Sequence, residues 1–150
     1  MTVTIREAKR SDARMLALLS GELGYAVSEE EMSRRVDSVL SRRSDKIFVG
    51  ETESVVGWIQ VSLRQTIESG MFAEIVGLVV TESYRSAGIG KQLAAAAEVW
   101  AVRQGCGKIR VRTNSVREQA RGFYSRIGYE PKKVQEVFDK SLSRDNKITV

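Results

Sequence analysis

The chain has 150 residues, a net charge of +5, no histidine and one cysteine, and a chain of this length is expected to form a single domain over residues 1–150 with a substantial core. The lack of histidine argues against a Ser-His-Asp triad or a zinc site, and the single cysteine excludes an intrachain disulfide. No apolar run approaches the roughly 18 residues of a membrane span, and the polar N-terminus does not have the pattern of a secretory signal, so we expect a cytoplasmic protein that does not bind a membrane.

The predicted elements begin with a strand and two helices. Residues 2–7 have strand character, and residues 11–23 carry the apolar stripe of an amphipathic helix. A second helix begins at Ser28, which forms a capping box with Glu31, and its apolar stripe extends to Leu40.

Three strands are expected next. Residues 46–51 and 54–63 flank a short polar turn, which is typical of an antiparallel pair. Residues 64–72 have the composition of a loop or hairpin tip. Residues 73–80 are nearly all apolar, as in a central strand that is buried on both faces.

The C-terminal part of the chain completes the order β-α-α-β-β-β-α-β-α-β-β. A helix follows a glycine-rich turn, and a strand over 108–113 leads to a helix over 116–128. A β-hairpin is expected over about 128–142, and the polar residues 144–150 are expected to be frayed. This order predicts a mixed α/β (α+β) fold in which antiparallel strands precede a strand-helix-strand unit.

The glycine-rich turn reads SYRSAGIGKQL at 83–93. Such a turn, placed between a strand and a helix, presents backbone N–H groups and the positive end of the helix dipole, which favour a phosphate anion. A Walker A loop does not fit, because Arg85 stands where its first glycine belongs and Gln92 where Ser or Thr belongs. A dinucleotide fingerprint does not fit either, because Leu93 replaces its third glycine.

A third pattern, Arg/Gln-x-x-Gly-x-Gly/Ala, fits Arg85, Gly88 and Gly90. It is the pyrophosphate loop of the GNAT N-acetyltransferase superfamily, which the chain resembles over about residues 3–142. The run GFYSRIGY at 122–129 is similar to the superfamily's late signature. The resemblance implies a GNAT fold, with a mixed central sheet of about six to seven strands flanked by about four helices.

Two departures from the family pattern lie beside the loop. Glu82 stands where many members have proline, and Ser86-Ala87 replaces the commoner Gly-Lys or Gly-Arg pair. Neither removes a backbone donor that the loop requires.

The resemblance implies an N-acetyltransferase that moves an acetyl group from acetyl-CoA to a primary amine, by direct transfer in a ternary complex and without a metal. The loop would bind pyrophosphate, and the strand before it would pair with the pantetheine arm and polarise the thioester. The residues that the resemblance assigns to coenzyme binding are Leu78, Val79, Val80, Arg85, Ser86, Ala87, Gly88, Ile89, Gly90, Lys91, Asn114 and Tyr124.

Two residues are candidates for proton transfer. Tyr124 falls where the family has a tyrosine that faces the coenzyme sulfur, and a phenol with a pKa near 10 can protonate a thiolate. Glu74 lies at the position of a general base in histone-acetylating members, although many members use an ordered water instead. The sequence leaves open whether Glu74 or a water accepts the amine proton.

The sequence is less informative about the acceptor amine and the residues that bind it. Family analogy places the acceptor between residues 21–28 and a late hairpin near 132–135, with Glu22, Tyr25 and Trp58 as candidate contacts for a cationic amine. The acceptor is expected to be a small-molecule or peptide amine, and an aminoglycoside, a polyamine, an amino acid and a protein are not distinguished.

The sequence also allows hypotheses about partners of the protein and an alternative to catalysis. The resemblance implies a possible homodimer formed through the late strands. A non-catalytic acyl-CoA-binding module is the alternative to an enzyme. The basic C-terminal half permits nucleic-acid binding, but the interleaved aromatics of a single-strand platform are sparse, so we expect no nucleic-acid partner.

Overall fold

The computed structural model describes residues 2–113 and 118–143. The chain divides into two compact units, Met1–Arg112 and Thr113–Val150. The elements, in chain order, are β1 (Thr4–Glu7), α1 (Ala13–Glu22), α2 (Glu29–Leu40), β2 (Asp45–Glu51), β3 (Val55–Thr66), β4 (Gly70–Val80), α3 (Ile89–Arg103), β5 (Ile109–Val111) and α4 (Glu118–Arg126). Short 3-10 helices cover Arg10–Asp12 and Glu82–Tyr84.

The first unit contains one mixed sheet with the strand order β1-β2-β3-β4-β5. The first four strands pair antiparallel, and β4 pairs parallel with β5. Strands β3 and β4 are longer than expected, because the predicted loop over 64–72 is mostly paired and only 67–69 form the tip. The mixed α/β fold is confirmed, as is the parallel strand-helix-strand unit β4-α3-β5.

Helices cover both faces of this sheet. Helices α1 and α2 pack on the face that carries Val49 and the neighbouring Trp58, in one cluster with Leu16 and Val36. Adjacent residues of a strand point to opposite faces, so Gly50 and Gly57 lie on the face that α3 covers.

The glycines on that face let α3 approach closely. A Cβ atom at Gly50 would lie 3.1 Å from Ile89 Cγ2, and one at Gly57 would lie 3.2 Å from Leu93 Cδ1. The first turns of α3 are therefore seated directly on the sheet, and this contact fixes the position of the loop that precedes the helix.

The second unit contains α4 and the segment that follows it. The hairpin expected over 128–142 is wrong, because no strand occurs among residues 127–143. The described residues form a sheet of five strands, whereas six to seven were expected. The residues that were expected to form the hairpin have no partner strand in the described residues. Within that same part of the chain, no helix is both long and apolar enough to cross a membrane.

Candidate coenzyme site

The site is built on a break in the regular pairing of β4. Gln60 pairs with Gly77 but Val61 pairs with Ile75, so Val76 is an extra residue that forms a β-bulge. Pairing between β4 and β5 ends at Ile75 with Val111. Strand β4 continues to Val80. Its last residues therefore do not pair with β5 in the described part of the chain.

The direction of the backbone groups at this end of β4 follows from its hydrogen bonds. Thr81 donates its N–H to the carbonyl of Val56 on the β3 side, at 2.9 Å. Because antiparallel strands alternate the direction of their backbone groups, Val79 also faces β3, whereas Leu78 and Val80 face the free edge. Of the three residues expected to meet the coenzyme through backbone, the structure thus exposes Leu78 and Val80 and places the Val79 side chain in the core.

The loop after β4 is shaped by two residues in the left-handed region. Ser86 has φ 69° and Gly88 has φ 82°. Gly88 is the N-cap of α3, and its carbonyl accepts the N–H of Gln92 at 3.1 Å. The helix N–H groups before Gln92 have no intrahelical acceptor and, with the turns at Ser86 and Gly88, form a concave arrangement of donors suited to an anion.

The side chains of the loop divide between core and solvent. Ile89 is buried against the sheet, so any ligand contact it makes is through its N–H. Arg85 and Lys91 are exposed and place two positive charges beside the donors. The helix dipole, the free N–H groups and the two cations all attract negative charge, so together they favour the binding of a polyanionic group.

A carboxylate from α1 holds the start of this loop. Thr81 donates its hydroxyl to Glu22 Oε2 at 2.8 Å, and the N–H of Glu82 donates to Glu22 Oε1 at 3.2 Å. Glu22 was a candidate contact for the acceptor amine, and the structure shows that it also joins the end of α1 to the end of β4. Sequence reasoning missed this link because partners about 60 residues apart leave no local pattern.

Glu74 lies in the paired part of β4, before the bulge. The residue is 8% exposed, and its carboxylate forms ion pairs with Arg112 and with Arg64. The extra residue Val76 places Glu74 on the same sheet face as Gly77. Glu74 pairs with Ser62 and Leu78 pairs with Ile59, three residues away on β3. The Cα atoms of Glu74 and Leu78 are therefore roughly 10 Å apart, which is longer than a glutamate side chain.

The other acceptor candidates differ in their surroundings. Tyr25 is 61% exposed. Trp58 packs against the core, and a Cβ atom at Gly77 would lie 2.9 Å from Trp58 Cη2. The Trp58 indole N–H is buried without a hydrogen-bond partner in the described residues, so Trp58 has mainly a packing role in this structure.

Tyr124 belongs to the second unit and lies on α4. Its ring makes edge contacts with Phe123 and Tyr129, at centroid distances of 5.0 and 5.4 Å. Burial raises the pKa of Tyr124 to about 12, which keeps the phenol protonated at neutral pH. Asn114, the other predicted coenzyme contact outside the first unit, lies outside the described residues.

The first unit therefore combines a bulged strand, a free strand edge and an anion-binding loop at the start of a helix, and this combination is typical of acyltransferases that take an acyl-CoA donor. The chain belongs to the acetyltransferase (GNAT) family, whose model matches residues 13–129. It is thus an enzyme of the N-acetyltransferase class, as the loop pattern indicated.

Individual proteins are similar to this chain in sequence or in fold. An uncharacterised N-acetyltransferase of Chlorobaculum tepidum is 28% identical over 142 residues, which cover 94% of this chain and 83% of that protein. The solved structure of AAC(6')-Iy in complex with the bisubstrate analogue CoA-S-monomethyl-acetylneamine has a TM-score of 0.84 at 18% identity, covering 95% of this chain and all of that one. The aminoglycoside 6'-N-acetyltransferase AAC(6')-Ih of Acinetobacter baumannii has a TM-score of 0.83 at 16% identity, again over 95% of this chain and all of that one.

Proposed function

We propose that this protein transfers the acetyl group of acetyl-CoA directly to the primary amine of a small molecule. The observation that carries the proposal is the continuity of two features: the free edge at Leu78 and Val80 runs directly into the donor-rich loop over 86–91. A ligand that binds both must have an amide-containing arm joined to a polyanionic group. The pantetheine and pyrophosphate of coenzyme A have this order.

The backbone would supply electrostatic catalysis. Pantetheine amides would pair with the edge of β4 as an added strand does. The N–H of Leu78 would then donate to the thioester oxygen and stabilise the negative charge that develops when the amine attacks. The nitrogen–carbon bond forms as the carbon–sulfur bond breaks, and the coenzyme leaves as a thiolate.

Two protons complete the reaction. The phenol of Tyr124, which its raised pKa keeps protonated, would donate its proton to the departing thiolate. The attacking amine must lose a proton before or during attack, and we propose that it passes to Glu74 or to water. The ion pairs of Glu74 and its distance along the strand from Leu78 favour water as the direct acceptor, with Glu74 beyond it.

The acceptor class is proposed from the neighbours and from charge. Two solved structures with the same fold are aminoglycoside acetyltransferases by name, and polyamines carry similar primary amines. Glu22, at the end of α1, places a carboxylate beside the entrance to the loop. This carboxylate would attract a cationic amine to the end of the sheet where Leu78 and Val80 lie.

A thiol-release assay over a panel of aminoglycosides, polyamines and amino acids tests the proposal. We expect turnover with at least one cationic amine, and a loss of roughly 100-fold or more in kcat for Tyr124→Phe with unchanged coenzyme affinity. Glu74→Gln should lower the rate mainly below neutral pH if Glu74 assists water. Coenzyme binding without turnover of any amine would instead identify a non-catalytic acyl-CoA-binding module.

A further inference from the structure

One face of the sheet carries a row of polar side chains below the bulge of β4. Paired positions on the strands β2, β3, β4 and β5 form this row, and its members are Asp45, Ser62, Glu74 and Arg110. The row lies on the face of Trp58, away from α3, because Ser62 is an even number of residues from Trp58. Asp45 and Glu74 are both 8% exposed, so two carboxylates are buried on a sheet face, where acidic residues are rarely found.

Two arginines flank the carboxylate of Glu74. Arg112 Nη1 donates to Glu74 Oε2, and Arg64 Nε lies 3.8 Å from Glu74 Oε1. The side chains of Arg64 and Arg112 are 52% and 51% exposed. Within the described part of the chain, the bond to Glu74 is the only hydrogen bond of Arg112, and Arg64 forms none. Because a guanidinium has five N–H donors, both arginines keep donors on the solvent side for a second carboxylate.

The charges around Glu74 do not balance. Lys108 Nζ and Arg110 Cζ lie over the Phe72 ring, at 5.2 and 4.6 Å from its centroid, and neither residue forms an ion pair among the described residues. Asp45, the other carboxylate of the row, lies two strands away from Glu74, roughly 10 Å. Four positive charges therefore surround one negative charge, and such an excess attracts an anion.

The sign of the charge changes along β4. The arginines lie at the bulge and before it, whereas the carboxylate of Glu22 is bonded to Thr81 and to Glu82 beyond the other end of the strand. Leu78, whose N–H is proposed to hold the thioester oxygen, lies between these two regions. A molecule with an ammonium group near Leu78 and a carboxylate at the arginines would match both charges.

We propose that the acceptor amine belongs to a molecule that also carries a carboxylate, and that Arg64 and Arg112 bind this carboxylate. A guanidinium matches a carboxylate with two parallel hydrogen bonds, which gives specificity as well as affinity. The inference rests on the proposed acetyl transfer and narrows its acceptor class.

The distance along the sheet also restricts the acceptor. Glu74, which both arginines contact, has its Cα roughly 10 Å from that of Leu78, so the amine and the carboxylate cannot be adjacent. In an α-amino acid the two groups are only about 3 Å apart, whereas a chain of about four methylene groups separates them by roughly 7 Å. The terminal amine of an ω-amino acid, or the side-chain amine of a basic amino acid, has this separation.

Thiol release with a matched pair of amines tests the specificity. The probes are 5-aminopentanoate and 5-amino-1-pentanol, which differ in whether the chain ends in a carboxylate or a hydroxyl. We expect kcat/KM to be roughly 10–100-fold higher for the carboxylate. Arg64→Gln should remove this preference without changing the KM for acetyl-CoA, and Arg64→Lys, which keeps the charge but not the planar fork, should retain part of it.

The control for these variants is Arg103→Gln, at the end of α3 on the other face of the sheet, which should keep the full preference. Equal kcat/KM for the two amines in the unaltered protein overturns the proposal. A preference that survives both Arg64→Gln and Arg112→Gln overturns it as well.

Calorimetric titration of the protein saturated with coenzyme A measures acceptor binding without turnover. Arg64→Gln should weaken the binding of 5-aminopentanoate roughly 10–100-fold and leave that of 5-amino-1-pentanol unchanged. If no amine is acetylated, the proposed acetyl transfer fails, and this titration still decides whether the two arginines form a carboxylate site. Equal affinities of the unaltered protein and Arg64→Gln for 5-aminopentanoate would contradict such a site.

Discussion

The side chain of Arg85 is bonded back to the strand that precedes it, because its Nε–H donates to the carbonyl oxygen of Val80 at 3.2 Å. This carbonyl is one of the backbone groups on the free edge of β4. The arginine of the loop pattern therefore holds the strand end and the loop in register, while its terminal N–H groups stay available for a phosphate.

This double role predicts how substitutions of Arg85 behave. Loss of a charge-assisted hydrogen bond costs about 1.5–3 kcal/mol, so Arg85→Ala should raise the KM for acetyl-CoA roughly 10–100-fold. Arg85→Lys keeps the charge but not the Nε donor, and we expect an intermediate effect. Steady-state kinetics with varied acetyl-CoA measure these KM values. The control Arg103→Ala, at the far end of helix α3 that follows the loop, should leave the KM unchanged.

The backbone conformation of Ser86 predicts that its replacement changes the stability of the protein. It is the single non-glycine residue with positive φ among the described residues, and the left-handed region costs a residue with a Cβ atom about 1–2 kcal/mol. We expect Ser86→Gly to raise the free energy of unfolding by up to about 1 kcal/mol, after the entropy of glycine is subtracted, and Ser86→Val to lower it. Urea unfolding measures both, and Ala87→Gly, whose φ is not positive, should not stabilise the protein.

The close packing of Gly77, which lies beside the bulge, predicts that a larger residue there destabilises the protein. A Cβ atom there would lie 2.9 Å from the Trp58 ring, so Gly77→Ala must displace a packed indole and should lower the unfolding free energy by about 1–3 kcal/mol. The matched control is Gly107→Ala, because nothing lies within 4 Å of that position. Thermal unfolding of the two variants should differ, and equal melting temperatures would show that Trp58 moves without cost.

The ion pair of Asp12 with Arg6 predicts that the free energy of unfolding depends on pH. Arg6 donates to both carboxylate oxygens at 2.9 Å and lowers the pKa of Asp12, with a further contribution from the N–H of Lys9. A carboxyl whose folded pKa lies below its unfolded value stabilises the fold above the unfolded pKa, near 4, and this stabilisation is lost as the pH falls through the folded pKa.

The variant Asp12→Asn isolates that contribution. It should lower the unfolding free energy by about 2 kcal/mol at neutral pH and make it less dependent on pH below about 4. Urea unfolding between pH 2 and 7 measures both effects. Asp37→Asn, which removes the exposed partner of Arg10, should change stability by less than about 1 kcal/mol, and equal losses in the two variants would contradict the assignment to Asp12.

The sequence alone was sufficient for most of the local elements and for the family. The four α-helices, the buried β4 and the glycine turn are all present where their patterns predicted them, because capping, periodicity and glycine act over a few residues. The spacing of Arg85, Gly88 and Gly90 distinguished this loop from other phosphate loops and indicated the GNAT family, and the family match confirmed that the chain belongs to it.

The tertiary structure decided what depends on partners distant in sequence. The bulge at Val76 follows from pairing with β3 and selects Leu78 and Val80, rather than Val79, as the backbone groups at the free edge. The ion pair of Glu74 with Arg112 joins residues 38 positions apart, and the link from Glu22 to Thr81 joins residues 59 positions apart. The expected late hairpin is wrong for the same reason: local sequence can favour a strand, but only a neighbouring strand supplies its hydrogen bonds.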